Sequence, residues 1–305
     1  MNDHLTISTF ELFKIFPDQE AARVYLESRL WPNGVKCPVC GLSERITARK
    51  DGFYRCNQCK EDFTVRTGTI FERSHVPLQK WLYAMYLLVT SRKGISSMQL
   101  SKEIGITQKS AWFVLQRLRE ACGNDPTVLS GIVEIDETYI GGKEGNRHAG
   151  KKLKLGRGTA GKIAVVGMRE RDGRTIAEPV ARTDTKTLHE TVRRNIGKGS
   201  TLHTDEHSGY DGLEPEYLRA KVNHSAKEYV RGEITTNGIE SVWAVLKRGL
   251  HGVYHHASDK HLARYVDEFT FRLNDGNVKR HTLARLDSFV DAVAGRHITY
   301  KELIA

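Results

Sequence analysis

Two cysteine pairs constrain this chain more than any other feature of it. Cys37-Pro-Val-Cys40 is followed, after fifteen residues, by Cys56-Asn-Gln-Cys59. Each CxxC is a tight knuckle, and Gly41 follows the first. Two knuckles at this separation can converge four thiolates on one tetrahedral Zn²⁺. The stretch between them reads as short strands, Arg45–Ala48 and Phe53–Arg55, about a turn at Asp51-Gly52. That pattern is a zinc ribbon. A disulfide framework would need an oxidising compartment, and Met1–Thr9 carries Asp3 and lacks the basic–apolar–small pattern of a secretory signal. Four thiolates leave no open coordination position, so the metal is expected to be structural. Cys122, left over, reads as a small buried apolar residue on a helix.

The chain has 305 residues, enough for two or three domains. Its hydrophobic share of 39% and charged share of 28% are those of a globular protein and exclude disorder or collagen-like structure for the chain as a whole. The longest apolar run, Trp81 to Val89, is about half of the roughly 18 residues a membrane helix needs. The expected location is therefore the cytoplasm, with no membrane partner. The formal net charge is +10, which suits a polyanionic partner and equally a merely basic protein. Its distribution is more informative. Residues 1–65 carry 9 Lys/Arg and 9 Asp/Glu, whereas residues 66–119 carry 9 Lys/Arg against Glu72 and Glu103. The excess sits in one short segment, as in a module that contacts nucleic acid.

That segment is helical by its spacing. Pro77 opens an apolar-periodic run through Trp81, Met85, Leu88 and Val89, ended by Gly94. Ser96–Ile104 reads as a short helix, Gly105 as a turn, and Thr107 as the cap of a second helix to about Arg119, with Trp112, Leu115 and Leu118 inward. Short helix, glycine turn, longer helix is the helix-turn-helix pattern, though ordinary helical hairpins share it. The second helix is expected to present Gln108, Lys109, Gln116 and Arg117 to base edges or phosphates. Gly123-Asn124-Asp125-Pro126 then ends the helices.

After Pro126 the pattern changes. Gly131–Ile140 is β-branched and reads as a strand. Lys162–Arg169 and Thr175–Val180 form a hairpin about Asp172-Gly173. A helix over Asp184–Ile196, strands at Ser200–Thr204 and Lys221–His224, and a helix from about Gly238 complete a mixed sheet flanked by helices. Asp136 lies on the first strand, Asp205 ends a later one, and Glu240 sits in the first turn of the last helix. Carboxylates so placed can meet at one sheet edge, where they hold Mg²⁺ or Mn²⁺. A metal pair about 4 Å apart serves in-line phosphodiester displacement.

Each acid also has a structural reading. Alternation puts Glu134 and Asp136 on one face and Glu137 on the other, so pattern alone does not choose among them. Asp205 has Glu206 beside it and can be a turn residue. Asn237-Gly238-Ile239-Glu240 reads as a capping box, with Asn237 as N-cap. Lys247 shifts the balance: it follows Glu240 by seven residues, two turns and about 10.5 Å along the same helix face, which suits a metal site that also grips a phosphate.

With these residues assembled, the chain resembles the DDE-type insertion-sequence transposases, specifically the bacterial group with an N-terminal zinc ribbon and an RNase H-like (ISXO2-like) catalytic domain. The carrying residues are Glu134–Gly142, His203-Thr-Asp205-Glu206 and Asn237–Gly249, extended by Tyr254-His255-His256 and His261–Asn274. The 35 positions from Asp205 to Glu240 fit the DDE arrangement. The resemblance implies an RNase H-like fold, two Mg²⁺ or Mn²⁺ ions held by Asp136, Asp205 and Glu240, and contact of Lys247 with DNA near the cut. Because the third position in related elements is not always glutamate, Asn237, His255 and His256 are further candidates. His224 recurs in such proteins without an assigned task. Binding of double-stranded DNA as a homodimer or higher assembly is implied too, on the bacterial nucleoid.

Taken together, the expected fold class is α+β multidomain: an N-terminal helix and zinc ribbon over 1–66, a helix-turn-helix region over 67–126, an RNase H-like core over 127–275, and a helical tail over 276–305. Lys143–Lys162 holds seven Lys/Arg, five glycines and one acid. It reads either as a basic loop in which Lys151, Lys152 and Lys154 track phosphates beside the site, or as a solvated loop; Arg248 is a further expected DNA contact. The functional expectation is a transposase that binds terminal inverted repeats, hydrolyses one phosphodiester at each end, and joins the freed 3′-hydroxyl to target DNA. The alternatives are a DNA-binding regulator with an inactive core and a metal-dependent DNA nuclease. An intact acidic set disfavours the first, and only the resemblance separates the second.

Overall fold

The structure is a computed structural model that describes residues 5–123, 127–142, 159, 161–222, 230–232 and 234–305. The expected phosphate-tracking residues Lys151, Lys152 and Lys154, and His224, lie outside the described residues. The chain divides into two compact units, Met1–Gly123 with Asp275–Ala305, and Asn124–Asn274.

In the first unit, α1 (Thr9–Ile15) and α2 (Gln19–Leu30) precede the ribbon. Ser8 and Glu11 form a reciprocal capping box on α1, and Asp18 caps α2. The ribbon is an antiparallel sheet of β1 (Ile46–Ala48), β2 (Tyr54–Cys56) and β3 (Asp62–Phe63). Asp51 and Gly52 take positive φ, which closes the expected turn. Its small core is Cys37, Cys56 and Phe63, with Trp31 and Tyr54 packed against them. Three helices follow: α3 (Leu78–Thr90), α4 (Ser97–Ile104) and α5 (Gln108–Cys122). Thr107 caps α5 as the sequence indicated, Ser96 caps α4 instead of opening it, and Gly105 sits between the two helices at φ 60°. The helices α9 (Thr282–Asp291) and α10 (Tyr300–Ile304) end the chain. Within this unit α9 packs on α2 and α3.

The second unit is built on a five-stranded sheet: β4 (Ile132–Ile140), β5 (Ile163–Glu170), β6 (Thr175–Val180), β7 (Thr201–Thr204) and β8 (Leu218–Lys221). The order is β6-β5-β4-β7-β8, with β4-β5-β6 an antiparallel meander and β7 and β8 added parallel. This is a mixed sheet of the RNase H-like order. The fifth strand spans Leu218–Lys221, with Leu218 paired to Thr201; the strand expected at Lys221–His224 lies partly outside the described residues. A minor hairpin joins β9 (Val230–Arg231) to β10 (Ile234–Thr235). One sheet face packs on α6 (Thr185–Asn195) through Val133, Ile135, Leu188, Val192 and Tyr210. The opposite face packs on α7 (Asn237–Gly249) and α8 (Asp259–Leu273) through Val165, Ile239, Trp243, Leu262 and Phe269. A π-helical turn, Leu250–Tyr254, links those two helices.

Candidate active site and metal centre

The ribbon cysteines meet as their spacing requires. Their sulfurs lie within 4.8 Å of one another, with Cys37–Cys59 and Cys40–Cys56 each at 3.6 Å. A tetrahedral zinc with bonds of about 2.3 Å sets its sulfurs about 3.8 Å apart, so the four thiols fit it. Backbone N–H groups of Cys59 and Gln58 hold the Cys56 thiol below its ordinary range.

The carboxylate site sits where β7 stops. The last parallel pair is Glu134 with His203. Asp136 lies two residues beyond that pair on β4 and Asp205 two beyond it on β7, so both acids reach the carboxyl end of the parallel strands at the same level. Ligands of open α/β sheets bind at that end. Glu137 joins them: oxygens of Asp136, Glu137 and Asp205 lie within 4.8 Å of one another. Ligand oxygens around Mg²⁺ lie about 2.9–4.2 Å apart, from bonds of about 2.0–2.1 Å, so the donor set fits a hard divalent ion.

Burial, reinforced by the charge of Asp205 and then of Glu240, raises the Asp136 carboxyl to about 6. Burial, with the charges of Asp205 and Asp136, raises Glu137 to about 7. Such mutual repulsion is relieved by a cation.

Two aromatic donors hold these acids. The Trp243 Nε1–H donates to Asp136 Oδ2 at 2.9 Å, and the Tyr210 hydroxyl donates to Glu137 Oε1. The backbone N–H of His207 donates to Asp205 Oδ1 at 2.9 Å.

Alternation alone left Glu134, Asp136 and Glu137 open, and the family resemblance singled out Asp136 without Glu137. Past Glu134, however, β4 has no β7 neighbour to separate the two faces. Glu240 stands outside the three-carboxylate group; its Oε1 accepts from the Thr236 hydroxyl at 3.0 Å. The expected capping box is corrected as well. Thr236 is the N-cap, Asn237 is the first helical residue, and the N-terminal amide of Ile239 is taken by Glu134 Oε2 at 3.0 Å. The side chain that closes the helix start comes from the neighbouring strand. Asn237, Lys247, Arg248, His255 and His256 are all exposed.

Two expected DNA contacts are overturned. Gln116 and Arg117 are buried in the first unit. Arg117 donates to the carbonyls of Ile70, Glu72 and Ile298 and stacks over Phe113. The chain's C-terminal segment covers that side of α5, so helical periodicity within the segment did not reveal the burial. Gln108 and Lys109 are exposed, Gln108 bonded to Ser97 and Lys109 over the Tyr300 ring.

Comparison with known proteins bears on these two sites directly. Residues 128–274 match the ISXO2-like transposase domain, and residues 17–62 match the transposase zinc-ribbon domain. The chain belongs to the ISXO2-like transposase family. It is 30% identical over 274 residues to an uncharacterized protein in transposable element ISH50 of Halobacterium salinarum, covering 85% of this chain and 92% of the relative. A chain of the simian T-cell lymphotropic virus intasome, solved in complex with PP2A regulatory subunit B56 gamma, aligns at 12% identity and a TM-score of 0.28. That alignment covers 61% of this chain and 65% of that one, so this chain spans less than two thirds of its length. Among the described residues, no helix is long and apolar enough to cross a membrane.

Proposed function

We propose that this chain is a metal-dependent DNA transposase of an insertion sequence, acting on the element's terminal inverted repeats. The observation that carries the reading is the meeting of Asp136 and Asp205 at the carboxyl end of β4 and β7, with Glu137 in the same group and Glu240 close enough for its charge to act on Asp136. Two Mg²⁺ or Mn²⁺ ions held by Asp136 and Asp205, with Glu240 as third ligand, would activate the attacking water or 3′-hydroxyl and stabilise the leaving oxygen.

The protein's own part is to bring oxygen donors together, keep them ionised once a cation is present, and hold the DNA in line. Lys247 and Arg248, exposed two turns beyond Glu240 on α7, would grip phosphates beside the cut. Gln108 and Lys109 at the start of α5, with the zinc ribbon, would bind the terminal repeat. Lys151, Lys152 and Lys154 would follow the backbone electrostatically. Pairing of two element ends calls for a homodimer or higher assembly on DNA, on the nucleoid. No serine or tyrosine nucleophile is needed, so no covalent protein–DNA intermediate forms.

The test is an end-cleavage and strand-transfer assay on DNA carrying the sequence that flanks the gene, with Mg²⁺ or Mn²⁺. Joining that Asp136→Ala and Asp205→Ala each abolish supports the reading. Cleavage without joining indicates a nuclease. Tight binding with no cleavage indicates a regulator. A trapped covalent adduct contradicts the mechanism.

A further inference from the structure

Asp136 and Glu137 are adjacent on β4, and their carboxylates lie within 4.8 Å of each other. Each is met by an aromatic side chain from a different core that donates one hydrogen bond to one oxygen. Trp243 approaches Asp136 from the α7 side, and Tyr210 approaches Glu137 from the α6 side. Both rings are buried.

Neither approach is incidental to packing. Gly167 is the residue paired with Asp136 on β5. A Cβ there would lie 2.4 Å from Trp243 Cη2 and 2.8 Å from Ile239 Cδ1. The indole crosses the sheet at the one place on β5 that has no side chain, and a glycine inside a strand is the sequence mark of such an approach. Gly209, next to Tyr210, is closely packed as well: a Cβ there would meet Leu188 Cδ1 at 2.6 Å and His207 Nδ1 at 2.7 Å.

The donors are also neutral. Among the described residues no Lys or Arg forms an ion pair with Asp136 or Glu137, whereas Glu134, two residues before Asp136, faces Arg171 at 4.0 Å. A cationic partner would fix a carboxylate but compete with a metal for its charge. A neutral N–H or O–H fixes one oxygen, stops rotation of the carboxylate plane, and leaves the other oxygen and the full negative charge available.

We propose that Trp243 and Tyr210 are positioning residues that clamp Asp136 and Glu137 for divalent-metal binding, with Gly167 as the seat for the indole. The proposal rests on the reading of these acids as metal ligands. It also makes Glu137 part of the metal site.

The experiment is a Mn²⁺ titration of the full chain followed by the loss of the free-ion EPR signal, on wild type, Asp136→Ala, Trp243→Phe and Tyr210→Phe. Both variants stay aromatic and lose the donor, and the two side chains lie in separate cores, so the pair is not expected to fail together. The clamp predicts that each weakens Mn²⁺ binding by about 10-fold or more with little change in melting temperature. It also predicts that Mg²⁺ shifts the tryptophan emission of wild type and leaves that of Asp136→Ala unmoved. If Asp136→Ala loses Mn²⁺ while both aromatic variants bind as tightly as wild type, the clamp is wrong and the metal site stands. If Mg²⁺ binds without any change in wild-type emission, Trp243 does not report on Asp136 and the clamp is again wrong. If wild type takes up no more Mn²⁺ than Asp136→Ala, the metal-site reading fails, and the clamp with it.

Discussion

The carboxylate of Glu134 accepts the backbone N–H of Ile239 at 3.0 Å, so a side chain of the central strand closes the first turn of α7. Two residues further along β4, Asp136 accepts from Trp243, one turn further along the same helix. The strand therefore holds α7 at two successive turns, and Glu240 lies between the two fastenings. Arg169 adds a third, donating to the Gly238 carbonyl at 3.0 Å.

Removing Glu134 should therefore be costly. A buried hydrogen bond to a charged group contributes about 1.5–3 kcal/mol, and its loss leaves the Ile239 amide without that acceptor. Glu134→Ala should lower stability by about that amount in urea or thermal melts, and Glu134→Gln by less. Gly238→Ala should destabilise too, because a Cβ would lie 2.5 Å from Glu134 Oε2. Wild-type stability in Glu134→Ala would contradict this arrangement.

The site should respond to pH with a definite sign. Asp136 and Glu137 titrate at about 6 and about 7, above their ordinary values of 3.8 and 4.5. Folding thus favours their protonated forms. That stabilisation is fully present below pH about 4 and is lost as pH rises through 6 and 7. A divalent cation favours the ionised forms. Mg²⁺ should accordingly raise the melting temperature at pH 8 and do little at pH 5.5, as scanning fluorimetry can show. An equal rise at both values would contradict the assignment.

Arg117 and Lys109 should separate stability from binding, although both were expected at the DNA. Arg117→Ala removes donors to three carbonyls, two of them in buried hydrogen bonds, and should cost about 2–4 kcal/mol of stability. Lys109→Ala should leave the melt within about 0.5 kcal/mol and weaken binding to terminal-repeat DNA with a shallower salt dependence. Fluorescence anisotropy across a salt series reads the second effect. A normal melt for Arg117→Ala would overturn the structural role.

Zinc removal should act mainly on the ribbon, whose core is little more than Cys37, Cys56, Phe63 and their flanking rings. A core that small depends on its metal. A strong chelator, or Cys56→Ser, should abolish the near-ultraviolet signal of Trp31 and Tyr54, which meet edge-on at 5.4 Å. Persistence of that signal in zinc-free protein would contradict a metal-dependent ribbon.

Legibility followed the range of the interactions. The CxxC spacing, the Thr107 cap, the Gly105 turn and the β-branched run of β4 are local, and the structure has each where the sequence indicated. What depended on distant chain was hidden. Arg117 is covered by residues near Ile298, and Glu134 caps a helix 105 positions away. Glu137 entered the site because β7 ends early, which a two-residue alternation does not encode. Gly167 was the one overlooked local signal: a bare position inside a strand, where the Trp243 indole crosses.

The most direct measurement is single-turnover cleavage of terminal-repeat DNA in Mg²⁺ and Mn²⁺ by wild type, Asp136→Asn, Asp205→Asn, Glu137→Gln and Glu240→Gln, with DNA binding measured in parallel. A metal-dependent phosphodiester transfer centred on β4 and β7 predicts that Asp136→Asn and Asp205→Asn lose cleavage by at least about a thousandfold while still binding DNA. It predicts that Glu137→Gln and Glu240→Gln are impaired as well. Cleavage that survives in Asp136→Asn or Asp205→Asn would show that the chemistry takes place elsewhere.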